Sequence, residues 1–227
     1  MSLRAVSKLA AFSTCELSDA LLKLGVGSGG YIPGLHLFSS GTICAPAYTV
    51  KMLSEHFVDT APAGSCIVID APQQAQNAVW GGLMSAGAIA RSAVGVVISG
   101  NCRDLAEHRA SNFPVFARSH STLGQQPFTR PSAVNVPLVI SPPNITGDYT
   151  FPSVIVEPGD WIVADEDGVV CVPRALEEKV ADLAELGKSV DAKCLLDIQK
   201  GYGVQDTFAK YRGKNEEIQM VVIYVST

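Results

Sequence analysis

Charged side chains are scarce in this chain of 227 residues, where they make up 17% of the total, and lysine and arginine form no cluster. Together with a formal net charge of -5, this scarcity argues against the basic surface that nucleic-acid-binding proteins carry. Long apolar runs are also missing, because no stretch approaches the roughly 20 residues needed to cross a bilayer. We therefore expect neither a nucleic-acid partner nor a membrane partner.

Cysteine pairs with the spacing of a redox motif or a zinc site are missing as well. The first residues, MSLRAVSKLAAF, lack the apolar core of a secretory signal. We therefore expect a cytoplasmic protein whose six cysteines are reduced and mostly buried. These cysteines are Cys15, Cys44, Cys66, Cys102, Cys171 and Cys194.

No linker rich in proline, glycine or serine divides the chain, which predicts a single domain over residues 1–227. Hydrophobic residues, at 47%, are numerous enough for a sizeable core. Because so few charges remain for the surface, we also expect other subunits of a homo-oligomer to cover part of it.

Capping residues, glycine turns and hydrophobic runs predict an α/β fold with one mixed sheet and a second, more antiparallel sheet. In "STCELSDALLKLG", Ser13 and Glu16 form a capping box at the start of a helix. Glycines introduce the strands "GTICAPAYTVKM" and "GSCIVIDA". A helix from Gly82 to Ser92, the strand "VGVVIS" and a short helix from Arg103 to Ala110 follow. The strands "FPVFARS", "VNVPLVI", "DWIVAD" and "GVVCVP" precede a long final helix.

The second predicted helix and the strand "VGVVIS" bring distant residues together. About ten helical residues at 1.5 Å each run roughly 15 Å one way, and about six strand residues at 3.3 Å return roughly 20 Å. The helix start, with the free N–H groups of Leu83, Met84 and Ser85, should therefore lie beside Arg103 and Asp104.

These groups could bind complementary parts of one ligand. Helical N–H groups favour a carboxylate, Arg103 can hold a second oxyanion or a carbonyl, and Asp104 offers a hard oxygen to Mg²⁺. Gly81 and Gly82 let a ligand approach the backbone closely. The alternative is a solvated helix cap with a salt bridge between Arg103 and Asp104, and spacing alone does not decide between the two.

A spaced pattern around this predicted site carries a family resemblance. Gly82, twenty intervening residues, Arg103 and Asp104, two more residues and Glu107 match G-x20-R-D-x2-E/D. With blocks such as "GTICAPAYTV", "VEPGDWIVADEDGVVCVP" and "DIQKGYGVQDTFAKYR", the chain resembles the RraA-like proteins, in wording most similar to their fungal branch. That family includes 4-hydroxy-4-methyl-2-oxoglutarate aldolases and oxaloacetate decarboxylases. The resemblance covers about residues 8–212 and leaves 213–227 as a C-terminal extension.

The resemblance implies a fold and an activity. The fold is a layered β/β/α sandwich of the swivelling-domain type, assembled as a homotrimer or hexamer with sites between subunits. The activity is that of a divalent-metal-dependent class II lyase, which forms pyruvate by retro-aldol cleavage of 2-oxo acids or by decarboxylation of oxaloacetate. Both reactions pass through the enolate of pyruvate, whose negative charge a cation stabilises.

The resemblance also implies roles for single residues. Asp104 would bind Mg²⁺ or Mn²⁺ directly, and Arg103 would stabilise the enolate charge. Glu107, together with Asp191 from a neighbouring subunit, would orient metal-bound waters. The residues assigned to the substrate are Gly82, Leu83, Met84, Ser85 and Arg103.

Two positions depart from the family pattern, and two other functions stay open. Many bacterial members carry an acidic residue where this chain has Gly82, so a proton-transfer role for that carboxylate is absent or reassigned. Asp191 stands where they carry a glutamate. Some RraA-like proteins are regulators that bind and inhibit a ribonuclease, which makes a non-catalytic role an alternative. A lyase or isomerase acting on another oxo acid is a third possibility.

Residues near these blocks allow simpler interpretations. We expect a surface or capping role for His108 and core packing for Trp80. A nucleophilic role for Cys102 and a Schiff-base role for Lys51 are disfavoured. The acidic turn 165–167 either connects two strands or faces the site, and the sequence leaves both open.

Overall fold

A nine-stranded mixed sheet forms the centre of the protein, in a computed structural model that describes residues 7–52, 57–125, 132–143 and 151–213. A separate antiparallel pair, β8 and β9, packs against it. In chain order the strands are β1 (His36–Leu37), β2 (Ile43–Met52), β3 (Cys66–Asp70), β4 (Ala78–Trp80), β5 (Gly95–Cys102), β6 (Val115–His120), β7 (Ser132–Val134), β8 (Leu138–Ile140), β9 (Val154–Val156), β10 (Trp161–Asp165) and β11 (Gly168–Val172).

Five α-helices and three short 3₁₀ segments surround the strands in the described ranges. The 3₁₀ segments are Lys8–Ala11, Phe57–Thr60 and Arg174–Leu176. The α-helices are α1 (Thr14–Lys23), α2 (Gly82–Ala90), α3 (Leu105–Ser111), α4 (Glu177–Gln199) and α5 (Val204–Tyr211). None of these described helices is long and apolar enough to cross a membrane.

The large sheet has a parallel half and an antiparallel half. Its order is β1-β6-β5-β3-β2-β10-β11, with β4 added to β5 and β7 added to β2. Strands β6, β5, β3 and β2 run parallel, whereas β10 and β11 continue the sheet antiparallel. The predicted α/β fold with a mixed sheet and a second antiparallel sheet is therefore confirmed.

Strand β3 shows how the sequence specifies the centre of the sheet. Ile67 lies between Tyr48 of β2 and Val96 of β5, so both edges of the strand are paired. Ile67 and Ile69 pack with Trp80 on one face, and Val68 packs on the other. Side chains alternate between faces along a strand, so a strand covered on both sides needs a continuous apolar run, and "CIVI" supplies it.

Helix α1 begins at the predicted capping box. The Ser13 amide donates to the Glu16 carboxylate at 2.8 Å, and the Glu16 amide donates to Ser13 Oγ at 3.3 Å. Leu17 and Leu21 are fully buried in a cluster that joins α1 to α4 and the antiparallel half of the sheet. This packing places α4 on the opposite end of the sheet from α2 and α3, which contact each other.

Some elements differ from the sequence-based prediction. The segment "VNVPLVI" forms two strands instead of one, because Asn135 adopts a positive φ of 56° and Pro137 follows. Strand β7 then pairs with β2, and β8 pairs with β9. Strands β1, β4 and β9 and helix α5 were not predicted. The edge strand expected in the C-terminal tail lies outside the described residues.

Candidate active site

The start of α2 and the loop after β5 meet, as the helix-and-strand geometry predicted. The Arg103 amide donates to the Trp80 carbonyl at 2.9 Å, which ties that loop to the end of β4. One residue further along each segment, the Gly82 amide donates to Asp104 Oδ2 at 3.0 Å. Main-chain and side-chain hydrogen bonds therefore hold the two halves of the predicted site together.

Asp104 adopts a left-handed backbone conformation, with φ 63° and ψ 44°. This region is uncommon for residues other than glycine, although aspartate and asparagine enter it more readily than most, and it is often found at functional sites. The Asp104 carbonyl accepts the amides of Glu107 and His108, which begins α3, while its carboxylate turns back to Gly82. In this turn the backbone of Asp104 begins α3, while its side chain points to the start of α2.

The Asp104 carboxylate has one occupied and one free oxygen. Oδ2 accepts the Gly82 amide and lies 3.5 Å from Arg103 Nε. Oδ1 has no hydrogen-bond or ion-pair partner among the described residues. The side chain is 35% exposed, so this free oxygen remains accessible to a ligand.

Small residues make room for the Arg103 guanidinium. A Cβ built on Gly124 would lie 2.8 Å from Arg103 Nη1, and one on Gly81 would lie 3.2 Å from Nε. The same Cβ on Gly81 would lie only 2.6 Å from Asp104 Oδ2. Because Gly81 and Gly124 have no side chains, Arg103 and Asp104 can lie close to the backbone at these two positions. The sequence did not reveal the contribution of Gly124.

The predicted set of three free amides is wrong at two positions. The amides of Met84 and Ser85 both donate to the Gly81 carbonyl, at 3.0 and 3.1 Å. The reason is that Gly81 is the N-cap of α2. Its carbonyl accepts the first α-helical hydrogen bond, from Ser85, and a 3₁₀-type hydrogen bond from Met84. The Leu83 amide has no acceptor among the described residues, and the Leu83 side chain is 87% exposed. An anion at this helix start would therefore meet one free amide.

Glu107 occupies the space next to Gly82. A Cβ built on Gly82 would lie 1.5 Å from Glu107 Oε2 and 2.6 Å from its Cδ. No hydrogen bond or ion pair joins the Glu107 carboxylate to any other described residue. As long as this carboxylate stays where it is, position 82 can hold no residue other than glycine. A larger residue there requires the carboxylate to move.

These groups share a cavity of about 390 Å³. Its floor is formed by β4 and its sides by the first turns of α2 and α3. Arg103, Asp104 and Glu107 supply all the charge among its described lining residues. The uncharged lining residues are Ala78, Val79, Trp80, Gly81, Leu83, Met84 and Gln125.

A buried network of Trp80, Ser85 and His108 lies behind the cavity. Trp80 Nε1 donates to Ser85 Oγ at 2.8 Å, and Ser85 Oγ lies 3.1 Å from His108 Nδ1. The indole can only donate, so Ser85 Oγ accepts from Trp80, whereas the direction of its hydrogen bond with His108 depends on the histidine tautomer. His108 is 0% exposed, and its Nε2 has no hydrogen-bond partner in the described part of the chain.

The expected surface or capping role for His108 is therefore wrong. His108 follows Leu105 by three positions, and Leu105 packs against the core, so both lie on the same side of α3. That spacing is the signal that could have identified the buried position. Burial lowers the pKa of His108, while the backbone of Arg103 and the carboxylates of Asp104 and Glu107 oppose the shift.

Asp191 lies apart from this cavity in the same chain. It sits on the outer part of α4, where Arg212 Nη2 donates to its Oδ1 at 2.7 Å. Both side chains are about half exposed. Within one chain the structure thus brings together Gly82, Arg103, Asp104 and Glu107 but not Asp191. The family-based role of Asp191 at a neighbouring subunit's site stays a prediction.

Several simpler interpretations agree with the structure. Trp80 is 2% exposed and packs in the core. Asp165 accepts the Thr14 amide at 2.9 Å and the Thr14 hydroxyl at 2.7 Å, so the acidic turn serves to hold α1. Burial raises the pKa of Cys102 to about 11, which removes the thiolate that a nucleophile needs. Lys51 is exposed and lacks the desolvation of a Schiff-base lysine.

The six cysteines are all free, and four of them are buried. In the described ranges no group of three or more histidine, cysteine, aspartate or glutamate side chains is placed to hold a metal ion. A cation at the Asp104 carboxylate would therefore have few protein ligands from this chain.

Residues 14–171 match the model of the RraA-like family, which is described as aldolase/RraA, over more than half of the chain. The chain belongs to the RraA-like family. This RraA-like chain is 30% identical over 156 residues to a Halalkalibacterium halodurans protein provisionally named 4-hydroxy-4-methyl-2-oxoglutarate aldolase, and the match covers 66% of this chain and 68% of that protein. It is also 29% identical over 181 residues to the protein DlpA of Legionella pneumophila, which covers 75% of this chain. The chain spans only 28% of the length of DlpA.

Solved structures share the fold of this RraA-like chain. An uncharacterised protein from Pseudomonas syringae has a TM-score of 0.77 and 29% identity, with 88% of this chain and 94% of that chain covered. A Streptomyces coelicolor protein, described as an unusual member of the RNase ES inhibitor RraA protein family, has a TM-score of 0.69 and 21% identity, with 82% and 93% covered. At that identity the second likeness concerns the fold alone.

Proposed function

We propose that this RraA-like protein is a divalent-metal-dependent lyase that forms pyruvate from 2-oxo acids. Its substrates would be 4-hydroxy-2-oxo acids of the 4-hydroxy-4-methyl-2-oxoglutarate type, cleaved by a retro-aldol reaction, and oxaloacetate, cleaved by decarboxylation. The observation that carries the proposal is the Asp104 carboxylate, held by the Gly82 amide through one oxygen and open to the cavity through the other. The provisional names of several relatives support the same chemistry.

The donor set fits Mg²⁺ or Mn²⁺. Hard divalent cations prefer carboxylate and water oxygens, and Mg²⁺ commonly binds through one or two carboxylates while keeping several waters. Asp104 would hold the cation through Oδ1, with Glu107 beside it on the same cavity wall. A cation bound there would polarise the keto group of a 2-oxo acid and stabilise the charge that develops during cleavage.

Residues of this chain would bind and orient the substrate. The Leu83 amide, at the positive end of α2, can donate to a substrate carboxylate. Arg103, which is 45% exposed and fixed at its backbone by Trp80, can donate to the keto oxygen as negative charge grows there. Met84 lies on the uncharged wall of the cavity, where it would limit the access of water to the breaking bond.

An assay of pyruvate release tests the proposal. The protein is incubated with oxaloacetate and with 4-hydroxy-4-methyl-2-oxoglutarate in Mg²⁺, in EDTA, and in EDTA followed by excess Mg²⁺. We expect release in Mg²⁺, its loss in EDTA and its recovery on readdition. Release that is indifferent to EDTA would refute the role of the metal. Inactivity on both substrates would refute the lyase, and inhibition of a ribonuclease by the same preparation would then favour the regulator.

The assembly that the family resemblance implies belongs to the same proposal. We propose a homotrimer or hexamer in which Asp191 of one subunit completes the site of another. Support comes from the position of Asp191 on the half-exposed outer part of α4, away from the cavity of its own chain.

A further inference from the structure

The retro-aldol reaction needs a group that takes the proton of the substrate hydroxyl, and the cavity contains a carboxylate, that of Glu107, which no described residue binds. Glu107 lies in the first turn of α3, and its side chain reaches the first residue of α2. Because Gly82 has no side chain, Glu107 Oε2 sits 1.5 Å from where a Cβ would be. The carboxylate is thus held beside the amide end of α2, on the wall it shares with Asp104.

The other charged groups of the cavity are not available for this task. A guanidinium has only hydrogen-bond donors, so Arg103 cannot act as the base. Asp104 Oδ2 accepts the Gly82 amide, and its other oxygen is the proposed cation ligand. Glu107 is exposed and takes no hydrogen bond or ion pair from the described residues. Among the described lining residues it is therefore the one carboxylate free to accept a proton.

We propose that Glu107 is the catalytic base of the retro-aldol reaction, an inference that rests on the proposed function and extends it. The Glu107 carboxylate accepts the proton from the C4 hydroxyl of a 4-hydroxy-2-oxo acid. The O–H electron pair forms the new C=O bond, and the pair of the breaking C3–C4 bond moves into the enolate of pyruvate. From a substrate of the 4-hydroxy-4-methyl-2-oxoglutarate type, whose C4 carries a carboxylate, the products are a 2-oxo acid and this enolate. The enolate takes a proton from water, and Glu107 returns its own proton to the hydroxide that remains.

The two reactions of the proposed function depend on this base to different degrees. Decarboxylation of oxaloacetate breaks a bond to a carboxylate, releases CO₂ and removes no hydroxyl proton. A base that acts on the hydroxyl therefore affects retro-aldol cleavage and not the bond breaking in decarboxylation. The ratio of the two activities reports on Glu107, whereas their presence reports on the proposed function.

The experiment compares Glu107→Gln with the wild type on both substrates in saturating Mg²⁺. General base catalysis contributes typically about 10² to 10⁴-fold, so we expect kcat for retro-aldol cleavage to fall by about 100-fold or more. We expect decarboxylation to fall at least about tenfold less than retro-aldol cleavage. Glu178→Gln, an exposed glutamate on α4, is the matched control and should leave the ratio unchanged. Circular dichroism and thermal unfolding check that both variants are folded.

Gly82→Ala provides a second, independent variant. Its Cβ would overlap Glu107 Oε2, so the carboxylate must leave its position beside the start of α2. We expect Gly82→Ala to lower the ratio of retro-aldol to decarboxylation activity in the wild-type background but not in the Glu107→Ala background, where no carboxylate remains to be displaced.

The outcomes separate the two proposals. Equal losses of both activities in Glu107→Gln, or an unchanged ratio, would overturn the role of Glu107 while leaving the lyase intact. A wild type that releases pyruvate from neither substrate would overturn the lyase and this inference with it. Gly82→Ala could also lower the ratio of retro-aldol to decarboxylation activity equally in the wild-type and Glu107→Ala backgrounds. Position 82 would then act without Glu107, and the inference would be overturned.

Discussion

The open and the buried sides of the first turn of α2 are built from neighbouring residues that have opposite surroundings. On the open side, Arg103, Asp104 and Glu107 face a cavity, and each keeps at least one polar atom without a partner among the described residues. On the buried side, Ser85 joins Trp80 to His108 in the core. Glu107 and His108 are adjacent in sequence, yet one carboxylate is exposed and one imidazole is 0% exposed.

This contrast indicates a division of labour. Groups without protein partners can bind a ligand without first breaking a hydrogen bond inside the protein. Buried polar groups that lose a partner, in contrast, lower the stability of the fold. The open side therefore carries binding and chemistry, and the buried side holds the two helix starts in register. Substitutions on the open side should change turnover, and substitutions on the buried side should change unfolding.

The largest effect should come from Asp104→Asn on the open side. Asparagine keeps the size and tolerates the left-handed backbone of position 104 but loses the charge that binds the cation. Because a bound metal contributes several kcal/mol to such a reaction, we expect turnover to fall about 1,000-fold, with Mn²⁺ binding lost in titration calorimetry. Asp59→Asn, in an exposed ion pair, should behave like the wild type. Full activity in Asp104→Asn would exclude Asp104 as the ligand.

Arg103→Lys should have the next largest effect. A lysine keeps the charge but cannot reproduce the planar donors of the guanidinium, and the gap beside Gly124 stays unfilled. Loss of one such donor typically costs about 100-fold in kcat, which steady-state assays on oxaloacetate would measure. Arg109→Lys on the exposed part of α3 is the control. A kcat for Arg103→Lys equal to that of the control would contradict the assigned role.

On the buried side, Ser85→Ala should mainly lower stability. It leaves the Trp80 indole N–H without an acceptor inside the core, at a cost of about 1 to 3 kcal/mol in the free energy of unfolding. Urea denaturation measures this loss. Ser40→Ala, an exposed serine, should change the same free energy by less than about 0.5 kcal/mol. Similar values for the two variants would mean that the buried network does not hold this turn.

Asp191 tests whether the open side extends to a second subunit. Asp191→Asn removes the carboxylate. Arg212→Gln breaks the same ion pair but keeps the Asp191 carboxylate. If the carboxylate orients metal-bound water at a neighbour's site, turnover should fall about tenfold in Asp191→Asn alone. Stability should change by less than about 1 kcal/mol in both, because the pair is half exposed. Equal turnover in the two variants would remove Asp191 from the site.

The smallest effect is a pH dependence on the buried side. Burial lowers the pKa of His108, so the unfolded state binds its proton more readily than the folded state. The stability from the neutral imidazole is complete above the unfolded pKa of about 6.5 and is lost as the pH falls below it.

Metal-free protein in EDTA should show this loss directly. Between pH 7 and pH 5, we expect the wild type to lose about 1 kcal/mol more unfolding free energy than His108→Gln, which cannot titrate. Asp104 and Glu107 are the charged groups that act on the imidazole, and both are present in the two proteins compared. Parallel pH curves for the two proteins would show that His108 is not the buried titrating group.

The sequence predicted the parts of this molecule that depend on local pattern. The capping box of Ser13 and Glu16, the buried run of β3 and the return of β5 to the start of α2 follow from periodicity and element length. Prediction failed where a local pattern has two solutions. "VNVPLVI" fits one strand, but a positive φ at Asn135 divides it. His108 fits a surface or capping position by its place on a short helix and a buried position by its spacing from Leu105.

The sequence by itself determined the family, the mixed α/β fold and the meeting of Arg103 and Asp104 with the start of α2, because helix rise, strand rise and hydrophobic period are properties of the chain alone. Tertiary structure decided that Glu107 fills the space beside Gly82 and that His108 is buried against Ser85. Those outcomes depend on contacts between segments more than twenty residues apart, where close packing selects one arrangement that local patterns alone do not decide.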